Sequence, residues 1–172
     1  MRRILAVLFA ATVLGCGAAH LRPQENAAPG LAASVYVGRV TVTSQEEAAK
    51  ANEALQVKMR AWETEARSSL NEGLAAKGYQ VVAAAPAPGS ATLTWNLDID
   101  VQYGNRALRY MVGFGAGKGH VRSTLVVEDG AKQEKYRSGA DSDLAMGGFG
   151  GDIGKVLRDN IHKLVGALPA PN

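Results

Sequence analysis

Asp98 and Asp100 stand two residues apart in Leu93-Thr94-Trp95-Asn96-Leu97-Asp98-Ile99-Asp100-Val101. On a strand both carboxylates point the same way, with Cα atoms about 6.6 Å apart. Such a pair can act as acid and base on a glycosidic bond. It can equally be a solvated face, paired with Arg106 or Arg137. The other candidates lie in two glycine-rich runs, Arg109-Tyr110-Met111-Val112-Gly113-Phe114-Gly115-Ala116-Gly117-Lys118-Gly119-His120 and Gly147-Gly148-Phe149-Gly150-Gly151-Asp152. Backbone so bare bends sharply, admits a close neighbour, or meets a ligand or partner. Phe114 and Phe149, each flanked by glycine, are candidate contact tips, because exposed aromatics mark partner surfaces. The competing reading places both rings at the end of the core. Arg109 and Lys118 bracket the first run and offer cations to anionic lipid or glycan.

Phosphate chemistry does not fit the first run. Counting back from Gly117-Lys118 puts Val112 where a P-loop needs glycine, and Gly119 replaces the hydroxyl residue. A dinucleotide fingerprint fails at Lys118, and the run leads into a strand, so no helix N-terminus faces an anion. Asp141-Ser142-Asp143 lacks the remaining spacing of a calcium loop. His20, His120 and His162 are isolated and support no zinc site. No serine stands locally with a histidine and an acid, so no catalytic residue, cofactor or metal is assigned. The formal charge is +3, but Arg2 and Arg3 supply two of those charges. No basic stripe interleaved with aromatics appears, which excludes nucleic acid as a partner.

The N-terminus carries the clearest address. Met1-Arg2-Arg3 is a short positive region, and Ile4 to Leu14 is an apolar run too short for a permanent span. Val13-Leu14-Gly15-Cys16 follows and resembles the lipobox of bacterial lipoproteins. By that resemblance the chain is cut between Gly15 and Cys16, and Cys16, its only cysteine, carries diacylglycerol. Several acyl chains on one residue anchor stably, at about 0.8 kcal/mol per buried methylene. Gly17 rather than aspartate comes next, which by resemblance to enterobacterial sorting implies the outer membrane.

The elements follow from periodicity. Residues 1–15 read as the signal peptide, and 16–32 as the lipidated N-terminus and a flexible tether, with Pro23, Pro29 and Gly30. A globular domain spans 33–169, and 170–172 is a tail. Ser34 to Val42 is a β-branched strand. Ser44 to Glu47 matches a capping box, opening a long helix with Ala48, Ala51, Leu55, Met59, Trp62, Ala66, Leu70 and Leu74 on one stripe. Gly78 closes it. Tyr79 to Ala83 is a short strand, and Leu93 to Val101 alternates with period two. Val121 to Val127 and Gln133 to Ser138 form a hairpin around Asp129-Gly130, a pair that tolerates positive φ; the second strand is polar enough for a sheet edge. A last helix carries Ile153, Val156, Leu157, Ile161, Leu164, Val165 and Leu168 on one side, and Pro169 and Pro171 stop it. The sum is a single-domain α+β fold: a mainly antiparallel sheet of about five strands, with one long and one shorter helix on one face.

With the exported cysteine and the long first helix, Arg109-Tyr110 before Gly113-Phe114-Gly115-Ala116-Gly117-Lys118 and the later Gly-Phe-Gly-Gly-Asp resemble an uncharacterised bacterial lipoprotein family, domain of unknown function 4410. The resemblance covers roughly Val35 to Leu168, judged by the order of elements, and implies a fold and an envelope address without an activity. The element order is also similar to small envelope lipoprotein domains of curli secretion and peptidoglycan-synthase activation, an analogy of fold alone. The expectation is a lipid-anchored envelope protein facing the periplasm, a non-catalytic binding or scaffold module. It would touch the membrane through Cys16 and another envelope protein, glycan or itself through Phe114, Phe149, Arg109 and Lys118. The alternatives are a small-ligand binder or hydrolase using Asp98, Asp100, Arg109 and Lys118, or a component of a self-assembling ring.

Overall fold

The computed structural model describes residues 20–26, 31–46, 50, 52–102, 119–144 and 152–171. Gly15, Cys16, Arg109, Phe114, Lys118 and Phe149 lie outside the described residues, as does Glu47 of the capping box.

Six strands form one sheet: β1 (His20–Asn26), β2 (Ser34–Thr43), β3 (Gln80–Val82), β4 (Leu93–Gln102), β5 (His120–Glu128) and β6 (Glu134–Asp143), in the order β1-β6-β5-β4-β2-β3. The β1–β6, β6–β5 and β5–β4 pairings are antiparallel, whereas β4–β2 and β2–β3 are parallel. The parallel part follows from connectivity. A long helix, α1 (Glu53–Ala76), joins β2 to β3 and returns the chain to its starting end. The second helix is α2 (Ile153–Gly166). Both helices pack against each other and on the same side of the sheet, giving the expected α+β domain.

Alternation on β4 sets that side. Leu93, Trp95, Leu97, Ile99 and Val101 are buried, and the residues between them are half-buried. Register continues the apolar rows across the sheet, Val40–Leu97–Leu125 among them. In β2 the buried positions step from Val35 and Val37 to Val40 and Val42, because a bulge falls at Gly38 and Arg39. A Cβ on Gly38 would lie 2.7 Å from Asn96 Oδ1, the atom that accepts the Arg39 amide at 2.9 Å. Met59, Ala66, Leu70 and Leu74 of α1 and Leu157, Ile161, Leu164 and Val165 of α2 complete the core.

Four local expectations change. The N-cap of α1 is Asn52, whose side chain accepts the Leu55 amide at 3.1 Å, so Ser44 does not open that helix. The β5–β6 turn is longer than a two-residue Asp-Gly turn. Asp129 Oδ1 accepts the Ala131 and Gln133 amides, both at 2.9 Å, and the positive φ falls on Lys132 at 60°. This arrangement leaves Gly130 with ordinary φ, because the carboxylate itself organises the loop. His20–Asn26 is a strand rather than part of a tether, and consequently β6 is an internal strand, not an edge.

Helix ends are closed across elements. Lys77 caps α1, and its ammonium donates to Val165 O at 2.9 Å and Gly166 O at 2.7 Å, at the negative end of α2. Arg158 of α2 pairs with Glu65 of α1. The sheet edge left open where β3 ends is met by α1: Arg67 donates to Val37 O and Gly38 O at 2.8 and 2.7 Å, and Glu63 accepts the Val42 amide at 3.0 Å.

One buried polar cluster joins α2 to the sheet. Asn160, fully buried, accepts from Ser142 Oγ at 2.6 Å and donates towards Ser123 Oγ at 3.2 Å and Val121 O at 3.3 Å. Asn160→Ala strands these groups in a dry site and is expected to lower unfolding free energy by about 2–3 kcal/mol in urea titrations. Loss of less than about 0.5 kcal/mol would show that the cluster contributes nothing net. Tyr79 offers a pH test. Burial raises its phenol above 10.0, the nearby Tyr136 adds to the rise, and the hydroxyl donates to Pro169 O at 2.9 Å. The unfolded chain releases this proton at lower pH than the folded one, so stability falls as pH climbs above about 10. A flatter alkaline stability profile is expected for Tyr79→Phe.

Candidate functional site

The helices leave the other face of the sheet uncovered, and there the polar halves of β4, β5 and β6 meet. Register lines them up as Asp98–Thr124–Gly139, Asp100–Arg122–Asp141 and Gln102–His120–Asp143. β1 adds Arg22 opposite Gly139 and His20 opposite Asp141.

Arg22 holds this edge. Its guanidinium crosses Gly139 to donate to Ser123 O and Thr124 Oγ1, both at 2.8 Å, and its Nε lies 3.3 Å from an Asp141 oxygen. A Cβ on residue 139 would sit 2.3 Å from the Arg22 Cζ, so glycine is required for the crossing. Arg122 approaches the second Asp141 oxygen at 3.4 Å, leaving that carboxylate between two arginines. His120 Nδ1 is 2.7 Å from Asp143.

The two aspartates singled out by spacing share a face but not a site. Asp98 is engaged by Arg39 at 2.9 Å and by the Thr41 hydroxyl at 2.6 Å. Asp100 accepts from Gln102 Nε2 at 3.0 Å through Oδ2, while its Oδ1 is buried without a partner. Asp100, Gln102, His120, Arg122 and Asp141, together with Val121, line an open cleft of about 220 Å³. Asp98 is absent from that lining, so the two carboxylates do not converge on one cavity. Asp98 pairs with Arg39 from the neighbouring parallel strand; of the expected partners, Arg137 instead binds Glu134, and Arg106 lies outside the described residues. Sequence reasoning passed over Arg22, Gln102 and Arg122, because which strands lie side by side decides their meeting. The alternation around Arg122 would have placed it on the wet face. No local signal would have found Arg22.

The cleft sits at one end of the sheet. Gln102 ends β4, His120 begins β5 and Asp143 ends β6, and the three are direct neighbours in register. His120 closes the first glycine-rich run, and its register partner Asp143 lies four residues before the second. Among the described residues no cluster of His, Cys, Asp and Glu is arranged to hold a metal, and no helix is long and apolar enough to cross a membrane.

The sequence that builds this one-sheet, two-helix architecture matches a known family. The profile of the Domain of unknown function (DUF4410) matches residues 18–152, well over half of the chain, and the protein belongs to that family. The match begins before β1 and ends before α2, so its extent is shifted N-terminally from the resemblance drawn on element order. No curated protein matches the chain. Among solved structures, two of PelC from Paraburkholderia phytofirmans are similar, both described as dodecamers. One, a single-substitution variant, is 16% identical with a TM-score of 0.46, over 86% of this chain and 94% of that one. The other is 15% identical with a TM-score of 0.48, over 90% and 99%. A likeness of this extent says nothing about assembly or activity here.

The β1 arrangement is directly testable. Gly139→Ala is expected to displace the Arg22 guanidinium while sparing the core. Amide exchange should quicken at residues 20–22 at least tenfold, with β4 and β5 unchanged. Unaltered protection at residues 20–22 would show that the Arg22 crossing does not hold the strand.

Proposed function

We propose that this protein is a lipid-anchored component of the bacterial envelope. It is held at the outer membrane through acyl chains on Cys16, faces the periplasm, and works as a non-catalytic binding module. The observation that supports the binding role is the juxtaposition of Gln102, His120 and Asp143 at one sheet end. His120 closes one run and Asp143 lies four residues before the other, so strand ends that lead to two runs of the same unusual composition are neighbours. Phe114 and Phe149 are the contact residues of this reading, with Arg109 and Lys118 as flanking cations. The sequence at Cys16 supplies the address.

A second reading rests on the cleft. Arg122 lines the cleft and is 60% exposed, so the cleft presents a cation. That suits a small anionic ligand, without requiring catalysis.

Native mass measurement of the lipidated protein in mild detergent, with co-purifying species identified, tests the binding reading. The expected result is a complex, with a distinct partner or with further copies of the chain. Phe114→Ser combined with Phe149→Ser is expected to reduce that complex at least tenfold without changing the melting temperature. Retention of every partner at unchanged melting temperature would remove the support for these contacts. A drop corresponding to about 3–5 kcal/mol would instead place the rings in the core.

A further inference from the structure

The strand order fixes which end of the domain carries the anchor. β1 runs antiparallel to β6, with His20 opposite Asp141 and Leu21 opposite Ala140. The first residue of β1 therefore lies at the end where β6 finishes, in one row with Asp141, Arg122 and Asp100. Thr43, near the end of β2, pairs with Asp100 and belongs to the same end. The opposite end carries the β5–β6 turn around Ala131. Cys16 precedes His20 by four positions. At 3.3–3.6 Å per extended residue that segment reaches no more than about 14 Å. A stalk running to residue 32 could have let the domain stand off and tumble. Pairing of β1 with β6 removes most of that length, and the Arg22 crossing over Gly139 ties the strand down close to its start.

We infer that this sheet end, marked by His20, Gln102, His120 and Asp143, lies against the lipid bilayer, so that the domain docks end-on. The inference rests on the reading of Cys16 as the anchored residue. The occupant is the headgroup layer of a membrane, reached because the short link leaves the end nowhere else to go. Among the described residues at this end, Asp100, Asp141 and Asp143 outnumber Arg22 and Arg122, so these side chains supply no pull towards anionic lipid. The cleft of Asp100, Gln102, His120, Arg122 and Asp141 then opens near the headgroups. Any partner meeting this end is embedded in the membrane or lies on it. Nine residues of β5 separate this end from the turn, about 30 Å at 3.3 Å per residue.

The test attaches residues 16–172 through the Cys16 thiol to maleimide-headgroup lipid in otherwise phosphatidylcholine vesicles, so it does not depend on biological lipidation. A ketone-bearing residue introduced at Thr43 or at Ala131 takes a donor dye, and headgroup acceptors report proximity. The expected result is at least threefold more efficient transfer from position 43 than from 131. A flexible insert of about twelve glycine and serine residues between Ala19 and His20 should abolish the contrast. Equal transfer from both positions without the insert, or stronger transfer from 131, would overturn end-on docking. The anchoring reading stands or falls separately, on whether the mature N-terminus purified from bacterial membranes has the mass of an acylated cysteine.

Discussion

Period-two alternation on β4 is the constraint from which the rest of this structure follows. Five consecutive odd positions, Leu93 to Val101, are buried, so every even position must face away from the helices. β4 is also where the sheet changes character, parallel towards β2 and antiparallel towards β5. Its apolar side chains lie between the two halves and belong to the core that both helices complete. Its polar side chains supply Asp98, Asp100 and Gln102 to the open face. A one-residue slip against either neighbour would bury those carboxylates and expose Trp95, a cost of several kcal/mol for the charged groups alone.

The edges of the sheet are managed by charged side chains rather than by more strand. On the β2 side β3 covers only the first few residues, and Arg67 and Glu63 reach from α1 to take up backbone groups further along. Hydrogen bonds to charged groups of this kind contribute about 1.5–3 kcal/mol each, and they also occupy positions to which another strand would pair. On the other side β1 covers β6, and Arg22 fastens it by crossing the gap left by Gly139. The same crossing places a guanidinium beside Asp141 and so helps to build the polar face. Edge closure and site construction are thus one arrangement.

Polar groups inside the core follow a similar economy. Serines 123, 138 and 142 occupy inward positions on β5 and β6, where valine would continue the apolar rows. Asn160 of α2 answers two of them and also approaches the Val121 and Ala140 carbonyls. A directional contact of this kind fixes how far α2 slides and turns over the sheet, which aliphatic packing alone leaves loose. The Lys77 contact with the end of α2 and the Arg158–Glu65 pair set the same helix against α1.

Local chemistry by itself determined the class of this protein and most of its elements. The stripe from Leu55 to Leu74, the alternation of β4, the apolar side of α2 and the left-handed Gly78 are each set by neighbours within a few residues, so they are legible without a fold. The wet face was legible as a face. Its partners were not, because strand neighbours are chosen by pairings between residues far apart in the chain. Asp98 and Asp100 are adjacent on one face, yet Arg39 from a parallel strand takes one and the cleft takes the other. His20–Asn26 carries a proline and little apolar surface, so nothing local marks it as a strand. Only the exposed edge of β6, with a glycine where Arg22 must pass, supplies the energy that orders it. For the same reason, which end of the domain carries the start of β1 was decided by tertiary structure alone: composition makes residues 16–32 look like a tether, and a pairing more than a hundred residues away turns residues 20–26 into an edge strand.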